Sequence, residues 1–451
     1  MTQLVILGAA GDLTSRYLIP ALGELGGAGA LPQELTIIGV DRQPWDNDEF
    51  RHHLAQRLDG QAATFLSGLR YHRGDVTDAE TLCAAFDPRD APAVVYLALP
   101  PHVVPGAVQA LGALPLARSS RIVAEKPFGD DLHSARRLNT LLHEVAPEEQ
   151  VFRIDHFLGK QTVQNVLGLR FANRIFEAVW NAQHVKAVDI VWDETLALEG
   201  RAGYYDAAGA LRDMVQNHLI QLLCLLAMEP PITLDERSLR DRKVDVLRAV
   251  RRPTLDDVRR HTLRARYSAG TAGGTTVPAY VDEPGVDPER RTETFAAVTL
   301  FVDNWRWAGV PFTLRSGKAL GADRHEICVR FRPVPHLAFE QDQDQDPQSN
   351  VLRLHVDPDR LTLEVNLNGA GDPFRLERAG MAVVLAPQEL SAYARLLLDI
   401  FAGDPVLSIR ADEAEEAWRI IEPILDGWRS EATPLLQYPA GSSGPHERAS
   451  T

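Results

Sequence analysis

Short apolar runs separated by helix-length segments dominate the first third of the chain. "LVILG", "LTIIGV", "AVVYLAL", "RIVAE" and "VFRI" are apolar on both faces, as strands covered on both sides are. Between them lie helical patterns such as "DNDEFRHHLAQRLD" and "DLHSARRLNTLLHEV". "DLTSRYLIPALGEL" sets Leu13, Leu18, Leu22 and Leu25 at helical spacing and predicts Asp12 as the N-cap. Strand–helix alternation of this kind predicts a doubly wound parallel sheet. After residue 160 the pattern changes. Two long helical segments, roughly 161–181 and 206–228, precede the strand patterns "TFAAVTLFVDN", "VPFTLRSG", "EICVRFRP", "NVLRLHV" and "LTLEVNL". Consecutive strands with alternating apolar and polar positions predict a second domain on a largely antiparallel sheet.

The expected architecture is α/β. An N-terminal Rossmann-type doubly wound parallel sheet occupies residues 1–155, and a C-terminal α+β domain on a large, mostly antiparallel sheet occupies 156–435. The tail 436–451, with "PAGSSGPHERAST", lacks periodicity and is expected to be disordered. "EQDQDQDPQSN" is an acidic low-complexity loop, best left unstructured. "RDRKVDVLRAVRR" is basic, but interleaved Asp241 and Asp245 read as a solvated helix face.

Composition narrows the function. At 451 residues with 45% hydrophobic and 24% charged content, the chain is globular and long enough for two or three domains. A net charge of −15 opposes nucleic acid or an anionic membrane as partner. The most apolar helix, "HLIQLLCLLAME", contains Gln221 and is too short to span a bilayer. Cys83, Cys224 and Cys328 are odd in number and far apart, which predicts buried thiols in a reducing cytosol rather than disulfides or a zinc site. "MTQLVILG" enters a strand at once, without the features of a secretory signal.

Four stretches carry candidate chemistry. "LGAAGDL" joins the first strand to the first helix: Gly8 permits a tight turn, Gly11 lets backbone approach a pyrophosphate, and the helix N-terminus supplies N–H donors. It lacks the full GxGxxG pattern, and any tight strand–helix turn is the plain alternative. "YLALPP", with Pro100, ends another strand of the same sheet, where carboxyl ends line the binding crevice. In "VFRIDHFLGKQ", His156 and Lys160 lie four apart, so on an α-helix they share a face and form an anion site with the free amides. Asp155, still extended, points elsewhere and is free to orient a histidine. "RDMVQNHLIQLL" supplies His218 in an apolar helix, where a satisfied core histidine is the plain alternative. A carboxylate on one ring nitrogen would leave the other as a general base. Asp213 and Asn217, four apart, have side chains suited to hydroxyls, but Asp213 and His218 lie about 140° apart on a regular helix. Sharing one ligand would need a distorted turn. Lys126 in "AEKPFG" and Lys318 in "RSGKAL" end strands, and Glu199 precedes the glycine-rich "GRAGYYD".

These segments resemble the glucose-6-phosphate dehydrogenase family along nearly the whole chain. The resemblance rests on "GAAGDLTSRYLIPAL", "LALPP", "EKPFG", "RIDHFLGK", "GRAGYYDAAGALRDMVQNH", "VPAYVDEPGVDPERRTETFAAV" and "DNWRWAGVPFTLRSGKAL". It implies hydride transfer from C1 of glucose 6-phosphate to a nicotinamide cofactor, with 6-phosphogluconolactone as product, in a cytoplasmic homodimer or homotetramer without a metal. By position it implies His218 as base and Asp155 as its partner, with His156 and Lys160 on the 6-phosphate. Lys126 would touch substrate and cofactor, and Glu199, Asp213 and Lys318 would bind the sugar. Gly8, Gly11, Asp12, Leu13, Arg42, Pro100 and Lys126 would line the cofactor. Tyr17, Phe157 and Gln161 depart from the family's lysine, tyrosine and acid at those positions. A paralogous dehydrogenase of another sugar or sugar phosphate, or a non-catalytic cofactor-sensing homologue, is the alternative. Asp41 would favour the free 2′-hydroxyl of NAD and Arg42 the 2′-phosphate of NADP, so NADP is expected with NAD possible.

Overall fold

A computed structural model describes residues 2–56, 66, 68–86, 91–200, 202–339, 349–356, 359–371 and 375–445. Most of the acidic stretch, residues 340–348, and the end of the tail, 446–451, lie outside them. Contacts divide the chain into two compact units.

The first unit comprises 1–161, 231–242 and 388–418. Six parallel strands, β1 (Thr2–Leu7), β2 (Leu35–Asp41), β3 (Leu69–Arg73), β4 (Ala93–Leu97), β5 (Arg121–Glu125) and β6 (Val151–Ile154), run in the order β3-β2-β1-β4-β5-β6. This is the Rossmann order, and its switch point lies between β1 and β4. Strand β3, "LRYHR", is too polar to announce itself in the apolar pattern. The core joins Leu4, Ile6, Val94, Val123 and Phe152 of the sheet to Leu18, Leu22 and Leu25 of the first helix. Helix Ala392–Ala402 adds Leu396, Leu397 and Ile400 to the same core, each worth roughly 1.5–3 kcal/mol on burial. Two distant segments, 231–242 and 388–418, complete this unit.

Arg153 is fully buried and is held by Glu148 at 2.8 Å. Arg240 is also buried, 3.8 Å from the same carboxylate. The basic helix Glu236–Ala249 is thus not simply a solvated face: its i, i+4 periodicity turns one arginine inward onto a carboxylate.

The second unit comprises 162–230, 243–387 and 419–451. Its nine-stranded sheet is built from β7 (Val185–Asp193), β8 (Thr262–Ser268), β11 (Phe295–Phe301), β12 (Pro311–Gly317), β13 (Arg324–Phe331), β14 (Val351–Val356), β15 (Asp359–Asn368), β16 (Leu376–Val384) and β17 (Leu435–Pro439). A separate hairpin pairs β9 (Gly270–Ala272) with β10 (Thr275–Val277). The large sheet runs β16-β15-β14-β13-β7-β12-β11-β8-β17. Only β7–β12 and β8–β17 are parallel neighbours. Strand β17 corrects the expectation of a disordered tail from 436. It lacks alternation because it is anchored by backbone pairing along β8 and by one buried ring, Tyr438, whose Oη donates to the Lys318 carbonyl at 2.6 Å.

Among the described residues no helix is long and apolar enough to cross a membrane. Cys224 and Cys328 are buried and outside any disulfide, but Cys83 is exposed, on the solvent side of helix Ala79–Ala85.

Candidate functional site

In the first unit, the loop after β1 sits at the switch point. Gly8 has φ +87°, and a Cβ there would lie 2.2 Å from the Ala98 carbonyl oxygen just beyond β4. Any side chain would force these two strand ends apart. The Ser15 amide donates to the Gly11 carbonyl at 3.2 Å, so Gly11 accepts the first helical bond. Asp12 is therefore the first helical residue and not the N-cap expected. Its carboxylate lies 3.4 Å from Arg16, one turn on. Leu13 packs on the core, and Pro100 lies exposed past the end of β4. Arg42 is exposed at the end of β2, beside a half-buried Asp41. A dinucleotide fits these residues: a glycine turn at the switch point, first-turn amides without helical acceptors, and an exposed guanidinium where the adenosine ribose is read.

At the other side of the sheet, β5 and β6 pair Glu125 with Ile154, which sets Lys126 and Asp155 next to each other at the strand ends. Asp155 is fully buried, and one of its oxygens accepts the Phe157 amide at 2.9 Å, capping a 3₁₀ helix over His156–Gly159. The shared α-helical face expected of His156 and Lys160 is not formed. With about three residues per turn, a 3₁₀ helix aligns residues three apart, and Lys160 is its C-cap. A ring brings the two together instead. The His156 ring meets the buried Phe157 edge-on at 5.1 Å, and the Lys160 ammonium sits 5.1 Å from the same ring centroid.

Three neighbours escaped the sequence reading. Tyr393 stacks on His156 at 5.7 Å and lies 5.2 Å from Tyr17. Glu125 accepts from the Tyr96 hydroxyl at 2.5 Å and bonds Tyr393. Burial pushes the Glu125 carboxyl up to about 7; Asp155 adds to the rise, while Tyr96, Lys126 and Tyr393 oppose it. Burial likewise drives the Tyr393 phenol upward, and the charges of Glu125 and Asp155 add to it. Glu125 was legible only as a strand end before Lys126, and Tyr393 carried no local signal at all.

In the second unit, the segment carrying Asp213 and His218 is not a regular α-helix. Gly209, at φ +69°, breaks helix Ala202–Ala210, and a π-helix spans Leu211–Leu219 before helix Ile220–Ala227 resumes. A π-helix closes i→i+5 bonds and turns less per residue than an α-helix, so residues five apart come nearer to one face. This is the distorted turn that Asp213 and His218 require to approach a common face. Asn217 is occupied within the helix: its Nδ2 donates to the Arg212 carbonyl at 3.0 Å, and its Oδ1 accepts the His218 amide at 2.7 Å. The Tyr204 hydroxyl lies 3.4 Å from Asp213.

The π-helix packs against β7, β11 and β12, and Glu293 secures its start. The Glu293 carboxylate accepts the Leu211 amide at 3.0 Å, and its carbonyl accepts the Ala210 amide at 3.1 Å. A Cβ on Gly209 would lie 2.5 Å from that carboxylate. Burial raises the Glu293 pKa, opposed first by the Leu211 amide. Lys318 is nearly buried, 2.5 Å from Glu194 and 5.4 Å from the Tyr205 ring centroid. Glu199 stands on the exposed loop after β7, at φ +48°.

Comparison with known proteins adds a consistent set of likenesses. The family model for the glucose-6-phosphate dehydrogenase NAD binding domain matches residues 5–165, and that for the C-terminal domain matches 167–451. The chain is 41% identical to glucose-6-phosphate 1-dehydrogenase of Treponema pallidum, over 98% of this chain and 92% of that protein. It is 40% identical to that of Zymomonas mobilis, over 99% and 96%. A solved structure of glucose-6-phosphate dehydrogenase in complex with its substrate glucose-6-phosphate superposes with a TM-score of 0.87 at 32% identity, over 99% of this chain and 95% of that one.

Proposed function

Because the chain belongs to the glucose-6-phosphate dehydrogenase family, we propose that it oxidises glucose 6-phosphate at C1 with NADP and gives 6-phosphogluconolactone. The observation that carries this reading is the match of both family models, which together cover nearly the whole chain. In it the first unit takes the cofactor. His218 removes the proton of the C1 hydroxyl, and Asp155 balances the charge the imidazole gains. NADP, when bound, accepts the hydride, so two electrons and one proton leave C1 while the second proton stays on His218. His156 and Lys160 hold the 6-phosphate, and both border the Phe157 ring. Lys126 stands between sugar and cofactor, and Glu199, Asp213 and Lys318 meet the hydroxyls. Gly8, Gly11, Asp12, Leu13 and Pro100 surround the cofactor, and Arg42 meets its 2′-phosphate.

A second reading, a paralogue acting on another sugar or sugar phosphate, is favoured by Phe157, which has no hydroxyl for a phosphate. A tyrosine there would offer the phosphate a hydroxyl, worth about 1.5–3 kcal/mol to a charged oxygen.

The assembly in this reading is a homodimer or homotetramer in the cytoplasm. Leu367, Met381, Val383 and Val384 on β15 and β16 are each more than half exposed, and β16 is an open sheet edge.

His218→Asn tests the mechanism. Turnover should fall by ~10²–10⁴ while the dissociation constant for glucose 6-phosphate barely moves. Near-normal turnover would remove His218 from the role of base.

A further inference from the structure

The end of β2 holds the loop after β1 amide by amide. The Val40 carbonyl accepts the Gly8 amide at 2.9 Å and the Ala9 amide at 3.3 Å. The next amide, Ala10, donates to Oδ2 of Asp41 at 3.1 Å, across 31 positions of sequence. The other oxygen, Oδ1, accepts the Arg42 amide at 2.7 Å. The Asp41 carbonyl is itself fixed, by the Gly74 amide at 2.9 Å and the Tyr71 hydroxyl at 3.2 Å. Three consecutive loop amides are thus bound to two residues of β2.

An acid at this strand end would ordinarily be read as the group that accepts the ribose hydroxyls of NAD. Here each carboxylate oxygen is already engaged by a backbone amide, so turning toward a ribose would release one of them. Arg42, by contrast, is exposed, and its charge reaches Asp75, whose carboxyl is lowered first by Thr77 and also by Arg42.

We propose that Asp41 is a positioning residue of the dinucleotide loop: it clasps the Ala10 amide, sets the affinity for the pyrophosphate common to NADP and NAD, and leaves the choice between them to Arg42. The inference rests on the dinucleotide reading of this unit. The loop between Gly8 and Gly11 is where backbone approaches the pyrophosphate, and a loop already fixed loses less freedom on binding. Physically the clasp and the charge act in opposite directions. Losing the clasp weakens anion binding by loosening the loop, whereas losing the negative charge alone would strengthen it. That opposition makes the proposal testable.

The test uses the full chain carrying Asp41→Ala, Asp41→Asn or Arg42→Ala. Dissociation constants for inorganic pyrophosphate, NADP and NAD are measured by calorimetry at fixed ionic strength, with amide hydrogen exchange over residues 8–11 in the absence of cofactor. Asp41→Ala should raise all three constants by a similar factor, roughly tenfold for one charge-assisted bond, and speed exchange at Ala10. Asp41→Asn, which keeps one acceptor oxygen for two amides, should fall between it and the unaltered protein. Arg42→Ala should weaken NADP alone. Tighter pyrophosphate or NADP binding by Asp41→Ala, which would show its charge outweighing the clasp, overturns the proposal, and so does weaker NAD binding alone with exchange unchanged, which would make Asp41 a reader of the ribose. If the unaltered chain binds neither NADP nor NAD, the dinucleotide reading itself has failed and the proposal falls with it.

Discussion

Replacing Glu293 tests how the second unit holds the segment that carries Asp213 and His218. Leu211 is fully buried, and its amide has the Glu293 carboxylate as acceptor at 3.0 Å. In Glu293→Ala that buried N–H loses its partner, which costs about 1–3 kcal/mol. The lost Cγ methylene adds roughly 0.8 kcal/mol. The combined loss of roughly 2–4 kcal/mol is a large share of the ~5–15 kcal/mol that stabilises a typical protein. Glu293→Gln keeps an acceptor oxygen in place and removes an ionisable group whose proton the fold already favours retaining. It should cost less than about 1 kcal/mol at pH 7. Urea unfolding followed by far-UV circular dichroism measures both, and steady-state rates show whether the π-helix still presents its residues. We expect Glu293→Ala to lower kcat more than it raises KM for glucose 6-phosphate, with Glu293→Gln near normal. If Glu293→Gln is as damaging as Glu293→Ala, or if Glu293→Ala costs nothing, the capping argument is wrong.

Two further perturbations address the first unit. If the ammonium holds the phosphate as proposed, Lys160→Ala should raise KM for glucose 6-phosphate far more than it lowers any activity on free glucose; equal losses on both sugars would remove it from that role. Glu125 carries a pKa raised from 4.5 to about 7, so the folded state holds its proton more tightly than the unfolded chain does. Stability should therefore fall as pH rises from about 4.5 to about 7 and level off above, by about 3 kcal/mol in all. Glu125→Gln should abolish that slope in urea unfolding between pH 4.5 and 8, and an unchanged slope would contradict the burial argument.

Local pattern made much of this architecture legible, and the gaps have physical reasons. Strands β1, β2, β4, β5 and β6 are apolar on both faces, so they stand out; β3 has Arg70, His72 and Arg73 in five residues and does not. Helix Ala392–Ala402 shows an apolar stripe, but a stripe says only that a helix packs, not that its partner lies more than 360 residues earlier in the first helix. Tyr393, which rides on that helix to reach His156, was invisible for the same reason. The angle between Asp213 and His218 exposed a real conflict with a regular helix. The π-helix that removes it depends on Glu293, some 80 positions away, and no local rule predicts such a contact. Spacing sets His156 and Lys160 on one α-helical face, whereas the chain forms a 3₁₀ turn there and the two meet only at the Phe157 ring.

The most direct measurement is the initial rate of cofactor reduction with glucose 6-phosphate, glucose, and other hexose phosphates, each with NADP and NAD. The account predicts that kcat/KM for glucose 6-phosphate with NADP exceeds every other pair in the panel. Turnover of another sugar phosphate with higher kcat/KM, or reduction of neither cofactor with any of them, would contradict it.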